Sequence, residues 1–168
     1  PNPLCPTIIT SMTKVRAKKY LGQHFLKDLD VARHIAESLE LTAGDQVLEI
    51  GPGMGVLTRF LQERSDVKLT LVEIDSESVA YLHQHFQGLN IIEADFLKLK
   101  ISEHFSGPVH LIGNLPYNIS SQIFFKMLEN RELIPQLVCM IQKEVAERMA
   151  ARHGNKTYGI LSVLMQAF

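Results

Sequence analysis

Tryptophan is absent from this sequence and cysteine nearly so, with only Cys5 and Cys139 among 168 residues. The two stand far apart, outside any Cys-x-x-Cys or Cys/His ligand pattern. No disulfide framework and no structural zinc site is expected, and a reducing, cytoplasmic setting follows. The seven histidines are scattered, so no metal is expected either. No apolar run approaches membrane-spanning length, and residues 1–12 lack the charged start and apolar centre of a signal peptide. Those residues read as a disordered extension or tag, with Met12 a natural start, ahead of one domain over 13–168.

A surplus of positive charge is also missing. The 17 Lys and Arg are offset by 18 Asp and Glu, for a net charge of -1. Phosphate contacts draw on such a surplus. A nucleic-acid partner therefore needs basic surface that is local, for which Lys14, Arg16, Lys18 and Lys19 are the candidates, or that lies in a missing part.

What the sequence does have is alternation. Short apolar runs at 46–50, 68–74, 90–94, 108–112 and 136–141 read as strands. Asp28 or Asp30 can cap a helix whose Val31, Ile35 and Leu39, with Ala32 and Ala36, recur at spacings of three and four on one apolar face. Further helices are expected after Gly55, with Leu57, Phe60 and Leu61 inward, then over 76–86, 120–128 and 142–152, and over 158–168 behind a break at Asn155. The class is α/β with a mainly parallel sheet. There is no internal repeat or low-complexity linker, and the length suits one well-cored domain.

Gly51-Pro52-Gly53-Met54-Gly55 makes a glycine loop between the first strand and its helix. Glycine lets backbone approach a ligand because no Cβ stands in the way. Glu73 follows at 73 − 53 = 20 residues, the separation at which an acid on the neighbouring strand holds a ribose hydroxyl. The nicotinamide fingerprint needs glycine where Val56 stands, and Pro52 removes an N–H that a diphosphate could use. A nucleoside ligand without a diphosphate fits better, and S-adenosyl-L-methionine is such a ligand. On this reading Gly51, Gly53 and Gly55 pass along its methionine end, Glu73 accepts from the ribose hydroxyls, and Asp95 accepts from the adenine amine with Phe96 beside the ring. Singly, Glu73 can also be read as a solvated strand end and Asp95 as a helix cap, but the ordered set of residues favours the ligand reading.

Behind the run 108–112 stands Gly113-Asn114-Leu115-Pro116-Tyr117, expected on a loop at the strand's carboxyl end, where open α/β sheets bind ligands. An adenine exocyclic amine is a poor nucleophile because its lone pair is delocalised into the ring. Two acceptors against its N–H bonds favour a pyramidal nitrogen and free that pair; the Asn114 side-chain oxygen and the Leu115 carbonyl can serve. Pro116 stiffens the turn, and Tyr117 offers a ring on which a base can stack. An ordinary strand-to-helix turn uses the same residue types.

Read together, Gln23-His24-Phe25-Leu26, Glu49-Ile50-Gly51-Pro52-Gly53, Glu73-Ile74-Asp75, Asp95-Phe96 and Asn114-Leu115-Pro116-Tyr117-Asn118-Ile119-Ser120 stand in the order of the ribosomal RNA adenine N6-dimethyltransferases, which the chain resembles from about Lys18 to its last residue. Gln142-Lys143-Glu144-Val145 and Tyr158-Gly159-Ile160-Leu161-Ser162-Val163 resemble the bacterial small-subunit branch more than the erythromycin-resistance methylases. The resemblance implies a Rossmann-like class I fold that uses S-adenosyl-L-methionine to dimethylate two adjacent adenosines near the 3′ end of small-subunit rRNA. It implies cofactor contacts at His24, Leu26, Gly51, Glu73, Asp95 and Asn114, catalysis at Asn114, Leu115, Pro116 and Tyr117, and a monomer acting on the immature small ribosomal subunit without metal or membrane. His24 stands where some members have asparagine. The second methylation requires room for a monomethyl amine, and Leu115 is the neighbour expected to provide it. It further implies that the chain stops before the last strands and a helical RNA-binding domain. An adenine methyltransferase acting on large-subunit rRNA or DNA, and an assembly factor that works mainly by binding, are the alternatives. A nicotinamide oxidoreductase is disfavoured by Val56 and Pro52.

Overall fold

The computed structural model describes residues 26–156 and residue 159. His24 and the helix expected over 158–168 fall outside this range, apart from Gly159. The chain runs α1 (Leu29–Glu37), β1 (Gln46–Ile50), α2 (Thr58–Leu61), β2 (Lys68–Glu73), α3 (Ser76–His85), β3 (Asn90–Glu93), α4 (Ile101–His104), β4 (Val109–Asn114), α5 (Ser120–Glu129), β5 (Leu137–Met140) and α6 (Lys143–Ala150). The strands form one sheet in the order β3-β2-β1-β4-β5, with every neighbouring pair parallel. Strand order reverses between β1 and β4. At such a switch point the loops leaving the two strands diverge and open a crevice at the strands' carboxyl ends.

The sheet is central because its inner strands are apolar on both faces. Alternation sends Leu48, Ile50 and Leu111 to one side, against Phe96, Ile101, Ile123, Phe124 and Val145. Val47 and Ile112 face the other side, against Ala32, Leu39, Leu57 and Leu61. Val47, Leu48, Leu111 and Ile112 are fully buried, and truncating any one of them to alanine costs roughly 2–5 kcal/mol for a leucine or isoleucine.

Of the two capping candidates, Asp28 is the one used: its Oδ1 accepts from the amides of Asp30 and Val31 at 3.0 and 3.1 Å. The face of α1 is narrower than its spacing suggests. Ala32 is buried and Ile35 and Ala36 pack beside it, but Val31 is 39% exposed, and the helix ends before Leu39. The helix after the glycine loop is a single turn, with Leu57 at its cap position. Phe60 is only half-buried and carries the Arg33 guanidinium 4.6 Å from its ring centroid. The short α4 was not expected from any spacing. β4 also runs two residues past Ile112, because Gly113 and Asn114 pair with Cys139 and Met140 of β5. Asn114 is thus the last residue of a strand rather than the first of a loop. Gly113 permits this register: a Cβ there would stand 2.7 Å from the Ile50 carbonyl oxygen.

Candidate active site

A cleft opens where the strand order reverses, walled by the loop after β1, the ends of β2 and β3, and the turn after β4. Its polar floor comes from the strands themselves. Glu49, next to last in β1, is 1% exposed, and its Oε2 accepts from the Thr58 hydroxyl at 2.7 Å. Burial pushes the Glu49 carboxyl up to about 8; the Thr58 bond opposes this and the charge of Glu73 adds to it. Burial thus favours the protonated, neutral form of Glu49.

Glu73 ends β2 and is 3% exposed. Its Oε2 accepts from the Gly53 amide at 3.0 Å, and its Oε1 accepts from the amides of Ile74 and Asp75, both at 2.9 Å. Burial raises its pKa, while these amides favour the charged form. The bond to Gly53 joins the glycine loop directly to the acid twenty residues on. Gly51, Gly53 and Gly55 all have positive φ, at 63°, 56° and 74°. At Gly55 a side chain is doubly opposed, because an added Cβ would lie 2.4 Å from the Phe86 ring.

Asp95 follows β3, and its Oδ1 accepts from the Leu97 amide at 2.9 Å in a tight turn. It lines the cleft together with Ala94, Phe96 and Leu97. Phe96 is 4% exposed and shared between the cleft wall and the core.

Asn114 lines the cleft from the end of β4, with its Oδ1 buried. Pro116, Asn118 and Ile119 line it as well. Leu115 does not: it is 1% exposed, packs in the core, and donates its amide to the Met140 carbonyl at 3.0 Å. Its side chain thus stands in the core and not in the lining of the cleft. Alternation explains it, since the residue after Asn114 in an extended run turns to the opposite face. Tyr117 is half-buried and not among the cleft-lining residues; its carbonyl accepts from the Ser120 hydroxyl at 3.5 Å.

Of the residues expected in the site, Leu26, Gly51, Gly53, Glu73, Asp95, Phe96, Asn114 and Pro116 meet around one cleft. His24 lies outside the described residues. Sequence reasoning missed Glu49 and Thr58 as a buried pair, and also Ile74, which is 50% exposed at the cleft rim. An acid inside an otherwise apolar strand, directly before a glycine loop, is the signal that could have found Glu49. Among the described residues, no three His, Cys, Asp or Glu side chains come together in a way that could hold a metal ion. No described helix is long and apolar enough to cross a membrane.

The family described as ribosomal RNA adenine dimethylase matches this sequence over residues 14–168. Curated relatives include the ribosomal RNA small subunit methyltransferase A of Phocaeicola vulgatus, 57% identical over 160 residues that make up 94% of this chain and 57% of that protein. The protein of the same name from Bacteroides thetaiotaomicron is 59% identical over 160 residues, 94% of this chain and 60% of the relative. The chain thus spans about three-fifths of the length of these relatives. Among solved structures, a dimethyladenosine transferase from Plasmodium falciparum superposes with a TM-score of 0.72 at 32% identity, covering 86% of this chain and 53% of that one. The 23S rRNA methyltransferase ErmE superposes with a TM-score of 0.66 at 32% identity, covering 78% and 53%. The parallel α/β sheet is accordingly the Rossmann-like fold of the class I methyltransferases, as expected.

Proposed function

This chain belongs to the ribosomal RNA adenine dimethylase family, and on that premise we propose that the protein transfers methyl groups from S-adenosyl-L-methionine to N6 of adenosines in small-subunit rRNA. The observation that carries this reading is the convergence of the glycine loop, Glu73, Asp95 and Asn114 on one cleft at the point where the strand order reverses.

The residues fit the donor. Glu73 spends Oε1 on two amides and one acceptor position of Oε2 on Gly53, which leaves Oε2 with capacity for a ribose hydroxyl. Asp95 uses Oδ1 on Leu97, which leaves Oδ2 for an adenine amine. Leu26, Ile74 and Phe96 supply apolar wall for the base, and the glycines admit the methionine end to within backbone contact. When bound, S-adenosyl-L-methionine supplies a methyl group on a positively charged sulfur, which makes it a strong electrophile.

The protein's own task is placement. The target adenosine must leave its stack to reach the cleft. Asn114 Oδ1, at the cleft, accepts from its amine, holds the nitrogen lone pair toward the donor and relieves its delocalisation. Pro116 keeps the turn stiff. No strong base is required, because the amine proton becomes acidic once the nitrogen carries the new methyl group and can pass to water. Orientation of this kind is worth several kcal/mol of barrier, on the order of 7–11 at its best. We place the reaction in the cytoplasm, on immature small subunits.

Calorimetric titration of this chain with S-adenosyl-L-methionine tests the donor half, with NAD and a Glu73→Ala variant alongside. Saturable binding of the methyl donor alone, weakened about tenfold or more by the substitution, is expected. Binding of NAD instead, or an unaltered affinity in the variant, would refute the assignment of the cleft.

A further inference from the structure

The cleft wall at residues 94–97 is braced by a side chain that stands in no motif. Lys126 of α5 is half-buried, and its Nζ donates to the Leu97 carbonyl at 2.9 Å. The ammonium lies 5.6 Å from the centroid of the Phe96 ring. Leu97 in turn donates its amide to Asp95 Oδ1 at 2.9 Å. Burial lowers the Lys126 pKa, and the charges of Glu129 and Asp95 partly restore it. A lysine on a surface helix ordinarily extends its ammonium into water. Here the ammonium is drawn down onto a carbonyl 29 positions away in sequence and an aromatic face.

Resting on the reading of the cleft as a methyl-donor site, we propose that Lys126 is a positioning residue for the adenine end of the donor. By holding the Leu97 carbonyl it fixes the turn whose amide aims the Asp95 carboxylate, so that Oδ2 stays turned toward the base. It touches no reacting atom. Lys126 also stands on the helix that begins directly behind the Asn114 turn, so the residues that grip the donor's adenine and those that grip the acceptor's amine are anchored to the same rod.

The test compares the parent chain with Lys126→Met and Lys126→Arg. Calorimetry is run with S-adenosylhomocysteine and with 5′-methylthioadenosine, and amide hydrogen exchange is followed at residues 95–99. Methionine keeps the aliphatic stem and removes the donor. It should weaken both ligands equally, by about tenfold, because the contact concerns the nucleoside they share. The Leu97 amide should exchange faster in that variant while the amides of β1 and β4 do not. Arginine, which can still donate to a carbonyl, should recover most of the affinity. A merely structural lysine would lower the melting temperature without this equal loss and without rescue. If the parent binds and Lys126→Met binds equally well, with unchanged exchange at Leu97, the proposal is wrong and the donor site stands. A folded parent that binds neither ligand would overturn the donor site itself, and the proposal with it.

Discussion

At the amino ends of the strands, Asp45 accepts from the amide and the hydroxyl of Thr42 at 2.7 and 3.0 Å and stands 3.6 Å from Nε2 of His110. His110 Nδ1 faces Gln136 Oε1 at 3.4 Å, and that oxygen also accepts from the Glu40 amide. At the carboxyl ends, Glu49 and Glu73 are almost wholly buried and face the same cleft. The carboxyl of Asp45 is held below its ordinary range by the Thr42 amide, whereas burial drives those of Glu49 and Glu73 above theirs. Carboxyls are thus shifted in opposite directions at the two ends of the sheet, by a hydrogen-bonding amide at one and by loss of water at the other. The amino end is arranged so that each polar group satisfies its neighbour, which contributes to stability. The carboxyl end keeps buried carboxyls raised in pKa beside a cleft, an arrangement that costs stability and supports the proposed ligand site.

The largest expected break in this comparison is catalytic. On the proposed function, Asn114→Ala should lower methyl transfer to small-subunit rRNA by at least about a hundredfold, while His110→Ala at the opposite end leaves the rate unchanged. Single-turnover rates on unmethylated subunits decide it. Comparable losses in both variants would mean that the two ends are not functionally distinct.

A smaller effect separates the ends by pH. Glu49 keeps its proton in the folded chain up to about 8, whereas in the unfolded chain it loses it near 4.5. Between those values the native state binds more protons than the unfolded state, so the contribution of Glu49 is fully present below 4.5 and is lost as pH rises toward 8. Glu49→Gln cannot ionise and should flatten that decline, as read by urea midpoints across this range. A variant whose midpoints fall as steeply as the parent's would contradict the burial argument.

The smallest effect runs the other way. The pKa of Asp45 is lowered, so its contribution is present above 3.8 and is lost as pH falls through the depressed folded value. Asp45→Asn should lower the melting temperature slightly at pH 7 and match the parent in strong acid. A variant that becomes more stable at neutral pH would show that Asp45 behaves like the acids at the other end.

The inner strands were legible because burial on both faces leaves short, largely apolar stretches, as in 47–48 and in 69–72, where the polar Thr70 is itself buried. The glycine loop and Glu73 were legible through their spacing, which reflects one loop, one helix and one strand of ordinary length. Val31 misled because helical spacing shows which residues share a face but not how wide a stripe the sheet covers; Ala32 occupies the contact and Val31 lies beside it. Leu115 misled because a loop was expected where β5 extends β4, and an extended residue next to Asn114 must turn to the core. Lys126 was invisible because its partner, Leu97, is a backbone carbonyl 29 residues away, and a main-chain acceptor leaves no mark in sequence.

Periodicity and residue type were enough to establish the alternation of strands and helices, the parallel α/β class, the glycine loop with its acid twenty residues on, and the resemblance to a family. These follow from local periodicity and from residue types whose chemistry is theirs wherever they stand. Packing is what closes the loop amide of Gly53 onto Glu73, buries Glu49 and so favours its neutral form, ends a strand at Asn114 while Leu115 enters the core, and sets the Lys126 ammonium on the Leu97 carbonyl. Each of these depends on which groups from distant parts of the chain exclude water from one another, and that is settled by packing rather than by spacing.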